Sequence, residues 1–372
     1  MSDTLELGFA EPRPADVAEI EAAIAAMWRS AGEGADSPVT RATALTLLVY
    51  VDSPEAGEDI SNLIAEVARE NPCRAIVMLV EQADSPVGIT ASVSAHCHLS
   101  AESGKQVCSE QITLRTRGPA GPELVSVVLP LTLSGLPIYL WWRAGNFDIP
   151  EAFNPILRVT DHLVVDSARF RQPGADLHRL AASLAGWAGR VRLSDLNWAR
   201  ATPWREVVAQ SFDSPTRLPF LDRVRELRIE YEVQSTRLAI QRAESLLLSA
   251  WFASRLGWSF QRAEALGEER TLHFHAGRGE VKVTWVAKEV AGGGCGHCFS
   301  FVIAAEGARF AYSRGTDGKV VQTLAEIEGL PPMSRTVRIE VRSDAELLSD
   351  ELMLSGHDVV YEQVLSLAEK MA

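Results

Sequence analysis

Hydrophobic residues form two kinds of run along this 372-residue chain, and the kind changes from the N-terminal to the C-terminal half. In the N-terminal half, ALTLLVYV (44–51) and CRAIVMLVE (73–81) are almost continuously apolar, which is typical of strands buried on both faces of a sheet. Between them, GEDISNLIAEVAREN (57–71) has the three- and four-residue spacing of an amphipathic helix. This order predicts two parallel strands joined by a crossover helix.

The other N-terminal segments extend this sheet. VGITASVSAHCHL (87–99) and VCSEQITLRTR (107–117) alternate apolar and polar residues, so they predict an antiparallel hairpin. Buried strands are predicted at PIYLWWR (137–143) and HLVVDSA (162–168), and a helix at PELVSVVLPLTLSG (122–135). The predicted fold is α/β, with a mixed, mostly parallel sheet flanked by helices.

The C-terminal half alternates over short segments, beginning at LRIEYEV (227–233). One strong helix, STRLAIQRAESLLLSAWFASRLG, is expected to begin at Ser235 and end at Gly257. These patterns predict a C-terminal α+β domain with an antiparallel sheet. The predicted parts are an N-terminal acidic helix and linker (1–36), an α/β domain (37–214) and an α+β domain (220–372).

The formal net charge of −13 is concentrated at the two ends of the chain. Residues 1–36 hold eight acids and two bases, and residues 344–372 hold seven acids and one base. Such ends repel phosphate, so nucleic acid is not expected as a partner. They are compatible with docking on a basic protein surface, although solvated charge that aids solubility explains each end more simply.

The N-terminus has no signal-peptide pattern, and the longest apolar runs are too short to span a bilayer. The five cysteines are an odd, sparse set, unlike the disulfide framework of a small secreted protein. We therefore expect a cytoplasmic protein without a membrane partner.

Sequence motifs for common cofactor and catalytic sites are missing. The chain has no G-x-G-x-x-G after a strand, no Walker A loop, no H-E-x-x-H and no G-x-S-x-G. No cofactor and no catalytic residues are therefore predicted.

The segment GGGCGHCFS (292–300) places Cys295 and Cys298 at the spacing of a redox-active pair. A catalytic pair usually begins at a helix N-terminus, where the helix dipole stabilises the thiolate. Here glycines precede the pair and an alternating strand follows it. A glycine hairpin holding two thiols is favoured over a thiol–disulfide oxidoreductase, and a regulatory disulfide stands between the two.

His96 and His98 lie on one face of a predicted strand, and Cys108 lies on its partner. These three side chains are candidate zinc ligands, but the sequence suggests no fourth. A structural role is favoured, and no metal is predicted.

Polar and aromatic residues end two neighbouring buried strands. Trp141, Trp142 and Arg143 end the first, and Asp166 and Arg169 follow the second. The carboxyl ends of such strands are where α/β sheets place ligand or partner contacts, and an arginine beside aromatics is a common interface anchor. A core tryptophan pair with a solvated arginine is an equal alternative. Asp166 is expected to pair with Arg143 or Arg169.

Four segments together resemble the glucose-6-phosphate dehydrogenase assembly protein family of cyanobacteria and actinobacteria. They are VCSEQITL (107–114), LPIYLWWR (136–143), HLVVDSARF (162–170) and DLNWARATPWRE (195–206). The resemblance implies a non-catalytic cytoplasmic protein that binds glucose-6-phosphate dehydrogenase, promotes its active oligomer and raises its activity in the oxidative pentose phosphate pathway. Thiol control of that pathway in cyanobacteria would give Cys295 and Cys298 a regulatory use, with thioredoxin as a further partner.

The motif residues are the candidates for the partner surface or its support: Trp141, Trp142, Arg143, Asp166, Arg169, Asn197, Trp198, Trp204 and Arg205. Two alternatives remain open beside the assembly role. One is an enzyme using the CGHC pair, and the other is a sensor that binds a sugar phosphate near Arg143 and Arg169.

Overall fold

The computed structural model describes most of the chain, namely residues 13–34, 39–53, 57–81, 87–99, 106–118, 121–187, 189–233, 242–266, 269–289, 298–315 and 318–371. The chain forms two compact units. The first unit comprises residues 1–165, 187–194 and 343–357, and the second unit comprises residues 166–186, 195–342 and 358–372. These units are interleaved along the sequence, whereas the predicted domains are continuous, and the predicted domain boundaries stay a prediction.

The first unit is built on a nine-stranded sheet. Its strands are β1 (Arg13–Pro14), β2 (Val39–Arg41), β3 (Leu45–Val51), β4 (Cys73–Glu81), β5 (Val87–Leu99), β6 (Gln106–Arg117), β7 (Ile138–Arg143), β8 (His162–Val165) and β9 (Arg192–Asp195). They lie in the order β1-β5-β6-β4-β3-β7-β8-β9, with β2 beside β6. Its helices are α1 (Val17–Gly34), α2 (Gly57–Glu70), α3 (Gly121–Leu131), α4 (Asn154–Val159) and α9 (Asp344–Met353).

The continuous apolar runs form the centre of this sheet. All seven residues of β3 are buried, and β3 runs parallel to both β4 and β7. The strand β6 runs parallel to β4 and antiparallel to β5, so the predicted hairpin is confirmed. The mixed, mostly parallel sheet flanked by helices is therefore confirmed.

The second unit contains an eight-stranded sheet in the order β11-β12-β13-β10-β14-β15-β16-β17. Its strands are β10 (Val224–Val233), β11 (Ser259–Leu266), β12 (Glu269–Ala276), β13 (Gly279–Glu289), β14 (Cys298–Ala305), β15 (Ala308–Arg314), β16 (Val320–Ile327) and β17 (Met333–Arg338). Its helices are α5 (Pro173–Trp187), whose last residue belongs to the first unit, α6 (Leu196–Arg200), α7 (Thr202–Ser211), α8 (Ala243–Leu256) and α10 (Val359–Met371). The strand β10 runs parallel to β13, and the other neighbouring strands described in this sheet are antiparallel, as predicted for most of it.

The strong C-terminal helix is present as α8, which packs against α10. Its predicted start at Ser235 lies outside the described residues. Its predicted end is confirmed, because Gly257 adopts a left-handed φ of 67° that favours glycine. The Trp285 indole of β13 donates to the Ser249 hydroxyl (2.8 Å), which joins the sheet to this helix.

Within the described ranges, no helix combines the length and the apolar character needed to cross a bilayer.

Candidate functional site

Several motif residues meet around one buried carboxylate in the second unit. The Asp195 side chain accepts hydrogen bonds from the backbone N–H groups of Asn197 and Ser167, both at 2.9 Å. The Tyr361 hydroxyl donates to the other carboxylate oxygen (3.0 Å), and the Asn197 amide donates to the Ser167 hydroxyl (3.0 Å). We call Ser167, Asp195, Asn197 and Tyr361 the Asp195 cluster. It joins the start of α6 to α10 and to the turn after residue 166.

Asp166 lies beside this cluster and pairs with two arginines. Its carboxylate oxygens lie 3.3 Å from the guanidinium of Arg200 and 3.5 Å from that of Arg169. The expected pair with Arg169 is therefore confirmed. Arg200 was not predicted as a partner, although it stands in the same DLNWAR segment.

Trp198 and Arg205 form a second contact in the same unit. The Arg205 guanidinium lies 3.4 Å from the centre of the Trp198 ring and donates to the Trp198 carbonyl oxygen (2.6 Å). The Trp198 indole in turn donates to Asp358 (2.8 Å) just before α10. Because these groups bond one another, their first effect is to fix α6 and α7 against α10.

The four motif tryptophans are buried in the core of their units. Trp198 and Trp204 belong to the second unit, where Trp204 packs on Phe301 with ring centres 5.2 Å apart. Trp141 and Trp142 lie in β7 of the first unit. Because all four tryptophans are buried, they can support a partner surface but cannot contact the partner themselves. The motif side chains that reach solvent are arginines: Arg169 is exposed, and Arg143 and Arg205 are half-buried.

Burial raises the pKa of Asp195 to about 6, and the nearby charge of Asp166 adds to the rise. Hydrogen bonds from Ser167 and Asn197 oppose the rise. Such a carboxyl is protonated more readily in the fold than in an unfolded chain, where aspartate has a pKa of about 3.9. The contribution of Asp195 to stability is therefore largest below about pH 4 and is lost as the pH rises toward 6.

We predict that Asp195→Asn removes this pH dependence, because the amide keeps the shape and never ionises. The free energies of unfolding of variant and native protein should agree near pH 4. The variant should gain up to about 3 kcal/mol over the native protein by pH 7, since each pKa unit corresponds to about 1.4 kcal/mol. Urea denaturation between pH 4 and pH 7 measures the free energy of unfolding of the variant and of the native protein. If both free energies changed equally with pH, the raised pKa of Asp195 would be refuted.

A histidine, a serine and a glutamate also meet in the first unit. The Ser194 hydroxyl lies 2.7 Å from Nε2 of His162 and donates to Glu351 (2.5 Å). Burial lowers the pKa of His162 to about 4, helped by Arg192 and His357. Serine stands between the imidazole and the carboxylate, so this is not the order of a catalytic triad, in which the imidazole is central. The contact attaches α9 to β8 and β9.

His96, His98 and Cys108, the three candidate ligands that the sequence suggested, do not come together. Cys97 and Cys108 face each other across β5 and β6 and form a disulfide. Cys108 therefore points to the face opposite the two histidines, and its sulfur is already bonded. His96 bonds Gln111 through Nε2 (2.8 Å). In the described part of the chain, no three His, Cys, Asp or Glu side chains are placed to hold a metal ion.

Of the CGHC pair, Cys295 and the predicted glycine hairpin lie outside the described residues. Cys298 begins β14, as expected for the strand after the hairpin. Its thiol is buried, and burial together with the nearby Glu244 raises its pKa well above the usual value. A thiolate, the reactive form, is therefore disfavoured at Cys298.

The strand order of the first unit has a switch point between β3 and β7, where related sheets bind nucleotides beyond the carboxyl ends of the strands. Here the Asp52 carboxylate accepts the Gly145 backbone N–H (3.1 Å). Tyr50 stacks on Trp142 with ring centres 3.9 Å apart. Burial, Asp52 and Asp148 raise the pKa of Tyr50 to about 12. The carboxylates at this edge disfavour a phosphate.

Comparison with known protein families covers both halves of the chain. A family model described as the N-terminal domain of a glucose-6-phosphate dehydrogenase subunit matches residues 64–182. A model of the C-terminal domain of that subunit matches residues 191–365. The chain belongs to this family. The resemblance drawn from the four sequence segments is thereby confirmed, and the match extends to residue 365, beyond the last of those segments, which ends at residue 206.

Two cyanobacterial relatives carry the name "Putative OxPP cycle protein OpcA". The protein of Nostoc punctiforme is 34% identical over 213 residues, which are 56% of this chain and 44% of the relative. The protein of Synechocystis is 34% identical over 204 residues, which are 54% of this chain and 40% of the relative. The chain thus spans less than half the length of these curated relatives.

Among solved structures, a "putative oxidoreductase" from Parabacteroides merdae has a similar fold. The TM-score is 0.51 at 10% sequence identity, over 88% of this chain and 97% of that protein. At this identity the likeness concerns the fold and not the chemistry.

Proposed function

We propose that this protein is a non-catalytic assembly factor for glucose-6-phosphate dehydrogenase. It binds the dehydrogenase, promotes its active oligomer and so raises its activity in the oxidative pentose phosphate pathway. The observation that carries the proposal is the family match over both halves of the chain, since the family is described as a subunit of that enzyme.

The chemistry of the motif residues supports a binding role. The polar groups of the Asp195 cluster bond one another, and Trp198 and Arg205 do the same. Such groups hold a surface in shape. At the switch point of the first unit, the Asp52 carboxylate accepts the Gly145 N–H, so a carboxylate lies at the edge where doubly wound sheets bind a phosphate. Both observations favour a partner protein over a nucleotide.

Activation through binding has a simple thermodynamic basis. A protein that binds the active oligomer more tightly than the dissociated subunits shifts the equilibrium toward the oligomer. We assign direct partner contact to the arginines Arg143, Arg169 and Arg205, with the four buried tryptophans as their support.

Replacement of Arg169 by alanine tests this assignment, with Arg171→Ala as the matched control, because both side chains are exposed and only two residues apart. We expect Arg169→Ala to weaken binding of the dehydrogenase about tenfold or more, since arginine anchors often contribute over 1 kcal/mol. Arg171→Ala should bind as the native protein does. Titration of the purified dehydrogenase of the same organism, followed by its activity, gives both affinities. Equal affinity for the two variants would remove Arg169 from the partner surface.

Thiol control and a cytoplasmic location belong to the same proposal. The redox role of Cys295 and Cys298 and the role of thioredoxin stay predictions. In the described residues, the disulfide joins Cys97 to Cys108 instead. Activation measured in reducing and oxidising buffer, with Cys97→Ser/Cys108→Ser beside the native protein, separates the two cysteine pairs. A redox dependence that survives the double replacement would point back to the CGHC segment.

A further inference from the structure

A small depression on the second unit has the donors of an anion site. It lies on one face of β15, β16 and β17 beside the end of α7, and it is shallow and open to solvent. Its lining residues are Ser211, Arg217, Phe310, Tyr312, Thr323, Leu324, Ala325, Met333 and Arg335. The lining contains two arginines and no acid, in a chain whose net charge is −13.

The two arginines are weakly engaged by the protein. Arg335 makes no hydrogen bond or ion pair through its guanidinium with any residue that the structure describes. Arg217 donates to the Ser211 carbonyl oxygen at 3.3 Å and approaches the Met333 sulfur at 3.8 Å. Neither contact neutralises the charge of the guanidinium. Both cations therefore stay available to an anion in the depression.

The floor of the depression holds a buried hydroxyl that is incompletely hydrogen-bonded. Tyr312 is 2% exposed, and its hydroxyl oxygen has no hydrogen bond of good geometry with a described residue, although the Ser211 side chain interacts with it. Buried polar groups that lack a well-formed hydrogen bond are rare in proteins, so the Tyr312 hydroxyl is available to an anion that enters the depression. Burial raises the pKa of Tyr312 to about 12, although Ser211 and the Arg217 charge oppose the rise. The hydroxyl therefore keeps its proton at neutral pH and can donate it.

Strand register explains why these groups meet. Tyr312 of β15 is opposite Thr323 of β16, and Thr323 is opposite Arg335 of β17. Opposite residues share a face, so a phenol, a hydroxyl and a guanidinium stand in one row across three strands. Arg217 closes the row from the segment after α7.

We propose that this depression binds the phosphoryl group of a small phosphorylated metabolite. A phosphoryl group has three terminal oxygens that accept several hydrogen bonds, which matches two guanidinium groups and the Tyr312 hydroxyl. The Thr323 hydroxyl beside them donates to the Arg335 carbonyl oxygen (3.4 Å). A carboxylate has only two oxygens and accepts fewer hydrogen bonds than a phosphoryl group does. This site is separate from Arg143 and Arg169, and it does not depend on the proposed dehydrogenase binding.

Isothermal titration of the full chain with inorganic phosphate, glucose 6-phosphate and glucose tests the proposal. We expect phosphate and glucose 6-phosphate to bind and glucose not to bind, with citrate as the comparison for carboxylates. Tighter binding of glucose 6-phosphate than of phosphate would identify a metabolite source, and equal binding would identify free phosphate. Tighter binding of citrate than of both would overturn the phosphoryl assignment.

Three variants locate the binding. Arg335→Gln and Tyr312→Phe should each weaken phosphate binding, Arg335→Gln by about tenfold or more because a charge-assisted hydrogen bond is lost. Arg338→Gln is the matched control, because Arg338 lies on the same strand, is exposed and projects to the other face. Loss of affinity in Arg335→Gln with none in Arg338→Gln supports the site. Equal affinity in all variants, or no binding of phosphate at about 10 mM to the native chain, would overturn it.

Discussion

Replacement of Glu110 by alanine is expected to lower the free energy of unfolding by about 3 kcal/mol, because the buried cation of Arg74 then keeps only its ion pair with the half-buried Glu21 (2.7 Å). Glu110 is 1% exposed, and Arg74, its cross-strand neighbour on β4, is 2% exposed and donates to it through Nε. Arg41 of β2 donates to the same carboxylate (2.9 Å), and so does the indole of Trp28 in α1 (2.9 Å). One carboxylate thus binds three elements of the first unit together.

The same two strands supply a matched control. Glu81 of β4 pairs with Arg117 of β6, but both side chains are largely solvated, at 37% and 60% exposed. Glu81→Ala should therefore change the free energy of unfolding by less than about 1 kcal/mol. Chemical denaturation followed by tryptophan fluorescence compares the two variants. If Glu110→Ala lost no more than Glu81→Ala, the buried ion pair would not stabilise the first unit as described.

Replacement of Trp142 by alanine should lower the free energy of unfolding by about 3–5 kcal/mol, as expected for removal of a large aromatic side chain from a packed core. Trp142 is 1% exposed, stacks on Tyr50 and meets the edge of Phe153 at 6.1 Å. Its indole donates to the carbonyl oxygen of Asn146 (2.8 Å). The control is the half-buried Trp187, whose replacement by alanine should lower the free energy of unfolding clearly less than that of Trp142.

Trp142→Phe separates the core role from a partner role. It retains an aromatic ring to stack on Tyr50, so the variant should fold and bind glucose-6-phosphate dehydrogenase with native affinity. Binding is measured by titration of the dehydrogenase at a temperature where the variant is folded. A folded Trp142→Phe variant that no longer binds would show that Trp142 contacts the partner and would contradict its assignment as support.

The sequence predicts the central strands of the first unit because their burial on both faces removes the polar alternation. The run that forms β3 is an example, since all seven of its residues are buried. The Asp195 cluster is less accessible to sequence reasoning. DLNWAR marks Asp195 and Asn197, but Tyr361 lies 166 positions further along the chain. No local pattern connects two residues at that separation.

The Cys97–Cys108 disulfide could not be predicted from the sequence for a different reason. Alternation along β5 places Cys97 on the face opposite His96 and His98, and this much follows from the sequence. Whether Cys108 shares the face of Cys97 depends on the register of the hairpin, and a shift by one residue would reverse the answer. The register in which Cys97 opposes Cys108 is a property of the folded hairpin.

The central claim is that this protein promotes the active oligomer of glucose-6-phosphate dehydrogenase. Mass photometry of the dehydrogenase of the same organism, at a concentration where it partly dissociates, tests the claim most directly, with activity measured on the same samples. The account predicts that the native chain joins the complex, shifts the enzyme to its larger oligomer and raises its activity. A dehydrogenase whose mass distribution and activity are unchanged by a saturating excess of this protein would contradict it.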